Sequence, residues 1–476
     1  MNDQEKIPKI NNPRVFGVRP NSEFAFGIAA SGKKPIKYSV KNLLHELSIN
    51  ENGLITGKII KTGVYDLLIE VENEFGKANQ NLKIVVGEDI SLTPPMGWNH
   101  WNCWGPKIDE NKVREAADYI VSSGLKDHGW TYVNIDDGWQ GERDPKTKAL
   151  QSNDKFKNMK GLCDYVHSLG LKIGIYSTPW RKSYAGFMGG SADTKDGQIL
   201  GDDDGHTIGK YHFEEQDAMQ WAEWGIDYLK YDWNPIDVES TKRIYEALRK
   251  SGRDIVLSLS NTTPYDLTEE ISKYAQCWRT TGDIIDLWES TDQWWQWSVK
   301  RIAFLQDKWI KYARPGHWND MDMLVVGYVG WGNPKPTRLT KDEQRSHVSL
   351  WALMSSPLLL GCDMSRLDKF TLSLLTNDEV ISINQDLLGQ QGFLIRNDCE
   401  EKIIVKVLED GSKAVGMFNL SNESRKIELL LNEINFRAKV KIRDVWEQND
   451  LGIFEKSYKT EIQVHGVKLL KITPIV

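Results

Sequence analysis

Between Met96 and Gly389 the hydrophobic period of the chain switches repeatedly, and this switching restricts it to very few folds. Short strand-like runs end at "MGWN", "YVNIDD", "KIGIYS", "YLKYDW", "IVLSLSN", "CWRTTGD", "HWNDMDML" and "PLLLGCD". Helix-period, amphipathic segments lie between most of them. In "NKVREAADYIVSSGL", Val113, Ala116, Ala117, Ile120 and Val121 share one face, and "STKRIYEALRKSG" ends in Gly252, a plausible C-cap. Eight strands with intervening helices match a (β/α)8 TIM barrel, although an open doubly wound sheet alternates in the same way. The barrel is preferred because polar and aromatic residues close nearly every strand, where a barrel carries its working groups.

The flanks read differently. Residues 12–89 carry short alternating runs such as "FAFGIAA", "GVYDLLIEVEN" and "NQNLKIVVGE", separated by turn signals such as "SGKKP" and "NENG". This predicts a small antiparallel β-sandwich behind a tail at 1–11. It resembles the Ig-like modules that precede catalytic domains in bacterial surface enzymes. Adjacent Pro94 and Pro95 stiffen the junction to a barrel expected at 93–389. From 390 to 476 runs such as "KIIVKVLEDGSKAVGMFNL" and "EIQVHGVKLLKITP" predict a C-terminal antiparallel β-sandwich. Both β-domains are expected to act as scaffold.

A chain of 476 residues is too long for one core, which agrees with this division. Net charge is −7 with Lys and Arg scattered, so nothing points to nucleic acid or an anionic membrane as partner. No apolar run is long enough for a membrane span. Five Cys without a CxxC pair argue against zinc and dithiol chemistry. The opening "MNDQEKIPKI" lacks an apolar signal core, which fits a cytosolic protein or an exported one whose signal has been removed. The 19 Trp often stand beside Asp, Asn or Gly, as in "GWNHWNCWG" and "DDGWQG". Such indoles cover the C–H face of a sugar while amides and carboxylates take its hydroxyls; a Trp-rich core is the alternative.

At the predicted strand ends the polar residues are mostly carboxylates: Asp136, Asp137, Asp232, Asp283, Asp320 and Asp322, with Lys230 and Arg279 as cations. No Ser or Cys has a His in a suitable motif, no Gly-rich phosphate loop follows a strand, and the His are scattered. No metal or other cofactor is therefore expected. Many carboxylates with many aromatics point to glycoside hydrolysis, in which one carboxyl attacks or activates water and another protonates the leaving oxygen. Taken alone, Asp232 fits equally well as the structural partner of Lys230.

The motifs "PPMGWNHWN", "YVNIDDGW", "GLKIGIY", "YLKYDW", "RTTGDI" and "WNDMDMLVVG", in this order, resemble family 27 of the glycoside hydrolases, the α-galactosidases and α-N-acetylgalactosaminidases. The resemblance implies a retaining exo-glycosidase. Asp232 matches the family's nucleophile and Asp283 its acid/base, whose pKa should be raised by burial and by the charge of Asp232. Asp136 and Asp137 match the pair that grips the 4-OH and 6-OH. Lys230 and Arg279 match cations that contact the sugar, Trp98 and Tyr176 match pocket aromatics, and Asp322 lies in the seventh-strand motif.

The chain departs from the family in several places. Asn234 and Tyr184 stand where family members often carry a disulfide, so the rim must be held by packing. Met321 replaces the usual Pro. "SLSNTTP" brings Ser260 and Asn261 to the strand that senses the 2-substituent. The insertion "WESTDQWWQW" adds Trp288, Trp294, Trp295 and Trp297, most of which are expected to pack internally. An α-galactosidase acting on a carbohydrate substrate is the leading expectation. β-L-Arabinopyranosidase, α-N-acetylgalactosaminidase and isomaltose-releasing dextranase are alternatives within the family, and an inactive sugar-binding barrel is one outside enzymology. The Ig-like module favours the periplasm or cell exterior.

Overall fold

The computed structural model describes residues 6–290 and 293–475. Three hydrophobic cores organise them. The first five residues of the expected tail lie outside the described residues. The rest of it is not loose, because Lys9–Ile10 pairs antiparallel with Ala30–Ser31. Beyond it, a four-stranded and a three-stranded sheet enclose one core containing Phe24, Ile55, Ile69, Leu82 and Ile84. Gly63–Asn73 and Gly76–Val86 form a long hairpin whose Leu67, Ile69 and Val71 alternate into that core. One pairing departs from the expected antiparallel pattern: Val15–Val18 runs parallel to Lys83–Val86.

The central domain is the expected barrel. Its strands are β1 (Met96–Asn99), β2 (Tyr132–Asn134), β3 (Lys172–Ser177), β4 (Tyr228–Asp232), β5 (Val256–Ser260), β6 (Cys277–Arg279), β7 (Trp318–Asp320) and β8 (Leu358–Leu360). All run parallel in the order β7-β6-β5-β4-β3-β2-β1-β8. They are buried nearly throughout, as a parallel sheet covered on both faces requires. Leu324, just past β7, closes the ring through a parallel bridge to Leu360.

The intervening helices start where the sequence supplies an acceptor for the free N–H groups. Asp109 caps α1 (Glu110–Ser122), Asn158 caps α2 (Met159–Ser168) and Asp237 caps α4 (Val238–Lys250). Between β3 and β4, α3 (Glu214–Trp224) ends at Gly225 with φ +96°. The short α5 (Thr268–Ile271) and α6 (Val299–Ala303) follow β5 and β6. Thr340 and Glu343 form a capping box on α7 (Lys341–Leu353), the buried helix before β8. Of the apolar face read on α1, Val113, Ala116, Ala117 and Ile120 are buried.

The N-terminal β-region docks on the base of the barrel, away from the strand ends that carry the carboxylates. Arg19 bonds Asp254 and the carbonyls of Arg249 and Arg253, while Glu23 pairs with Arg253. A cavity of about 530 Å³ lies at this junction. At the other end of the chain, a six-stranded sheet faces two cores. Ile403, Val405, Val415 and Met417 pack into the C-terminal core, while Ile404, Ala414 and Phe418 alternate towards the barrel. Cys103, Cys163, Cys277, Cys362 and Cys399 are all free thiols.

Candidate active site

Strand β4 presents Lys230 and Asp232 on one face because side chains two apart point the same way. Lys230 Nζ donates to Asp136 Oδ2 at 2.7 Å and lies 5.7 Å from the Tyr176 ring centroid. Asn99, at the end of β1, donates its amide to the same Asp136 oxygen at 2.7 Å, and the Asp137 backbone N–H donates to the other at 2.8 Å. Burial pushes the Asp136 carboxyl up most, but the Lys230 ammonium, His100 and the Asp137 N–H together outweigh it and hold the acid below its ordinary value. Among the described residues Asp137 is paired with no Lys or Arg. Its oxygens accept from Gln140 Nε2 and the Ala185 N–H, both at 2.9 Å, and burial leaves it above the ordinary range.

Asp232 is buried at the end of β4. Tyr176 donates its hydroxyl to Oδ2 at 3.0 Å, and Asn261 donates its amide to Oδ1. Burial raises the Asp232 pKa most. Lys230 opposes this, Asp283 and Asp136 add to it, and the acid is pushed up to about 6. The Asn261 amide also reaches the Tyr184 hydroxyl at 3.3 Å. Both of its N–H groups therefore face protein oxygens, a role that the expectation of 2-substituent sensing did not contain. Its backbone has φ +76°, a conformation Asn tolerates better than most residues.

Arg279 closes β6 and is buried. It donates to Asp283 Oδ1 at 2.6 Å and to Ser260 Oγ at 3.4 Å, and lies 3.3 Å from Asp322 Oδ1. Asp283 is not buried as expected: its side chain is 52% exposed. It stands beyond β6 in a two-residue strand at the rim, with its N–H bonded to the Trp295 carbonyl at 2.7 Å. The more enclosed carboxyls of this half of the site are Asp320, which is buried, and Asp322, which is partly buried. Burial first, then the neighbouring Asp322, pushes Asp320 up to about 6. Burial and Asp283 likewise hold Asp322 above its ordinary value against Arg279. The cation thus does not keep every neighbouring carboxylate at its usual acidity.

Trp98, expected among the pocket aromatics, is fully buried and donates its indole N–H to the Cys362 carbonyl at 2.8 Å. At the rim Asn234 is exposed. Tyr184 packs edge-on against Trp180 at 5.0 Å, and Trp180 stacks on His206 at 5.0 Å. In the insertion, Thr291 and Asp292 lie outside the described residues. Trp288 is buried and stacks on His465, and the Trp297 ring lies 4.0 Å from the Arg301 guanidinium. Trp294 and Trp295, however, are 79% and 42% exposed, so only half of the insertion's indoles pack as expected. Two supporting residues escaped the sequence reading. Asn99 stood in plain view at a strand end. Trp351 on α7, which donates to the Asp322 carbonyl at 2.7 Å, gave no signal because its partner is distant in sequence.

Comparison with known proteins places this geometry among relatives. Residues 93–386 match the family model described as alpha galactosidase A, and residues 400–472 match the alpha galactosidase C-terminal beta sandwich domain. An alpha-galactosidase A of Cellvibrio japonicus is 36% identical, covering 81% of this chain and 93% of that protein. A Bacteroides fragilis structure, provisionally described as an alpha-galactosidase/melibiase, superposes with a TM-score of 0.88 at 33% identity over 98% of both chains. A family 27 β-L-arabinopyranosidase of Geobacillus stearothermophilus, solved with arabinose, gives a TM-score of 0.70 at 30% identity over 81% of this chain and 98% of that one.

Proposed function

The chain belongs to the alpha galactosidase A family of glycoside hydrolases, and from that premise we propose that it releases terminal α-linked galactose with retention, using Asp232 as nucleophile and Asp283 as acid/base. The observation that carries the assignment is the contrast between the two carboxyls. Asp232 is buried with a hydrogen-bond donor on each oxygen, from Tyr176 and Asn261. Asp283 stands at the rim, where a leaving group departs and water enters.

In the first step Asp283 protonates the glycosidic oxygen while an Asp232 oxygen attacks the anomeric carbon, giving a glycosyl ester and a free alcohol. Tyr176 and Asn261 fix the orientation of the attacking carboxylate. Formation of the ester removes the negative charge of Asp232, which leaves Asp283 beside Arg279 ready to take a proton from water. That water attacks the anomeric carbon, and Asp232 is released as carboxylate. Asp136, kept ionised by Lys230, is suited to accept sugar hydroxyls, and we assign Asp136, Asp137 and Lys230 to the grip on the axial 4-OH.

A second reading is β-L-arabinopyranosidase, the activity by which the Geobacillus stearothermophilus relative is described. Initial rates on p-nitrophenyl α-galactoside, α-N-acetylgalactosaminide, α-glucoside and β-L-arabinopyranoside decide between them. The α-galactoside should give the highest kcat/KM; a preference for any of the others overturns the substrate assignment. A 2-fluorogalactosyl inactivator should attach to Asp232, and attachment to another carboxyl refutes the nucleophile.

A further inference from the structure

A leaving group lies on the side of the acid that protonates it, so whatever stands beside Asp283 stands beside the leaving group. The insertion supplies that neighbour. Asp283–Ile284 pairs in parallel with Gln296–Trp297, with Asp283 opposite Gln296. The Asp283 N–H bonds the Trp295 carbonyl at 2.7 Å, and the Ile285 N–H bonds the Trp297 carbonyl at 3.0 Å. The turn is pinned from within, because the Trp297 indole donates to the Trp294 carbonyl at 3.0 Å. On this fixed turn Trp294 and Trp295 hold their indoles in solvent. Two adjacent exposed indoles are costly in water unless something covers them.

Across from the turn a second element repeats the pattern. A groove of about 450 Å³ is lined by Gln296, the strand partner of Asp283, by Ile285 and by Trp331. Trp331 is 38% exposed and has φ +48°, a left-handed conformation unfavourable for a bulky side chain. It is held there because its N–H and that of Gly330 both bond the Asn102 carbonyl, and the Gly332 N–H bonds the Cys103 carbonyl. Gln293 and Gln296 line the same groove with amides, while its charged groups are Lys335 and the ion pair of Arg338 with Asp286; Trp294 and Trp295 stand outside this lining, on the turn itself. Exposed flat indoles near side-chain amides match a chain of neutral sugars, whose C–H faces stack and whose hydroxyls both donate and accept.

We propose that Trp294, Trp295 and Trp331 form leaving-group subsites for a neutral oligosaccharide, which makes a galactose side branch or terminus on a glycan chain the preferred substrate. The inference rests on the assignment of Asp283 as acid/base. The leaving-group sugars stack on the turn beside Asp283 and continue along the groove towards Trp331.

The test compares kcat/KM on an α-1,6-galactosylated mannopentaose with that on α-galactosyl fluoride, which has no leaving sugar. In Trp294→Ala, Trp295→Ala and Trp331→Ala the ratio of the first to the second should fall about five- to tenfold each, as expected for the loss of one stacking contact. KM for the oligosaccharide should rise more than kcat falls. An unchanged ratio in all three variants overturns the proposal, and so does a fall carried by kcat alone with KM for the oligosaccharide unchanged, because that is what lost support of Asp283 would give: the sugar alcohol needs an acid to leave and fluoride needs little. Calorimetric titration of unsubstituted mannopentaose into Asp232→Ala, with and without Trp294→Ala, reads the same contact without turnover. Weakening by Trp294→Ala supports the subsites, and no binding to either protein counts against them. Failure of the wild type on α-galactosyl fluoride would instead sink the catalytic reading while leaving this titration interpretable.

Discussion

At the scale of single residues, the site sets stability against function at Asp232. Its acid form is favoured in the folded protein, where it is pushed up to about 6 by burial, and its ordinary value is near 3.8. The folded state therefore binds more protons than the unfolded state between these values, so the ionised group disfavours folding above about pH 6 and this cost fades as pH falls towards 4. Asp232→Asn should consequently raise stability at pH 7.5 by about 1–3 kcal/mol, and the gain should vanish near pH 4. The Asn261 amide can turn its oxygen towards the new NH2 group, so both oxygen sites of the old carboxylate keep a partner. Denaturant melts of wild type and variant at the two pH values measure this, and an equal difference at both would show that ionisation is not the cause. On the proposed assignment of Asp232 as nucleophile, the same ionisation governs catalysis. Only carboxylate attacks, so kcat/KM should lose activity below about pH 6, with one proton taken up. Asp320 is also pushed up to about 6, so the limb must be tied to Asp232 by the pH dependence of its labelling.

At the scale of elements, helix α7 supports the site through its contacts with the turn after β7. Asp322 has φ +75° directly after β7, and the Trp351 indole N–H holds its carbonyl at 2.7 Å. The neighbouring His347 accepts the Val325 N–H at 3.1 Å, and its ring packs edge-on against Trp351. Together they fix the turn that aims Asp322 at Arg279 and at the Ile284 N–H. Trp351→Phe keeps most of the buried volume and removes one hydrogen bond. It should cost about 1–2 kcal/mol in stability and reduce kcat several-fold, with less change in KM. A loss of stability without any change in kcat would make the contact purely structural. This support was illegible in the sequence, whereas the strand ends were not. Asp136, Asp232 and Arg279 interrupt or close apolar runs, so strand period alone located them. Trp351 reads as an ordinary core residue of an amphipathic helix, and nothing local tells that its N–H ends 29 residues earlier in the chain. The exposure of Asp283 was hidden for a related reason. Depth at a barrel mouth depends on the course of the loop after β6, and that loop is held by a strand pairing to the insertion. The split of the four insertion tryptophans followed the same contacts, His465 and Arg301 holding two of them, which composition cannot show.

At the scale of the whole molecule, the C-terminal domain is attached through a buried charge. Lys406 lies on the barrel-facing side of its strand with Ile404, and is fully buried. Its ammonium donates to Ser355 Oγ at 2.5 Å and to the Ile383 carbonyl, and lies 3.5 Å from the Ala352 carbonyl, so it ties the C-terminal sheet to the end of α7 and to the Asp378–Asn384 helix. Burial presses its pKa down to about 7, with only Asp386 opposing. The unfolded chain keeps its proton up to about pH 10.4, so between about 7 and 10 the unfolded state binds more protons and the contribution of Lys406 to stability rises with pH. Lys406→Met removes that titration and leaves Ser355 Oγ and the Ile383 carbonyl without their donor. The variant should be less stable than wild type at pH 9 by about 2–4 kcal/mol. At pH 6 the gap should be smaller by about 1–3 kcal/mol, because the wild type there bears the cost of a buried ammonium. Groups elsewhere titrate alike in both proteins and cancel in the difference. Urea melts at the two pH values give the comparison. A gap that is constant or that widens towards acid would mean that Lys406 stays charged in the fold and that the junction is held by its hydrogen bonds alone.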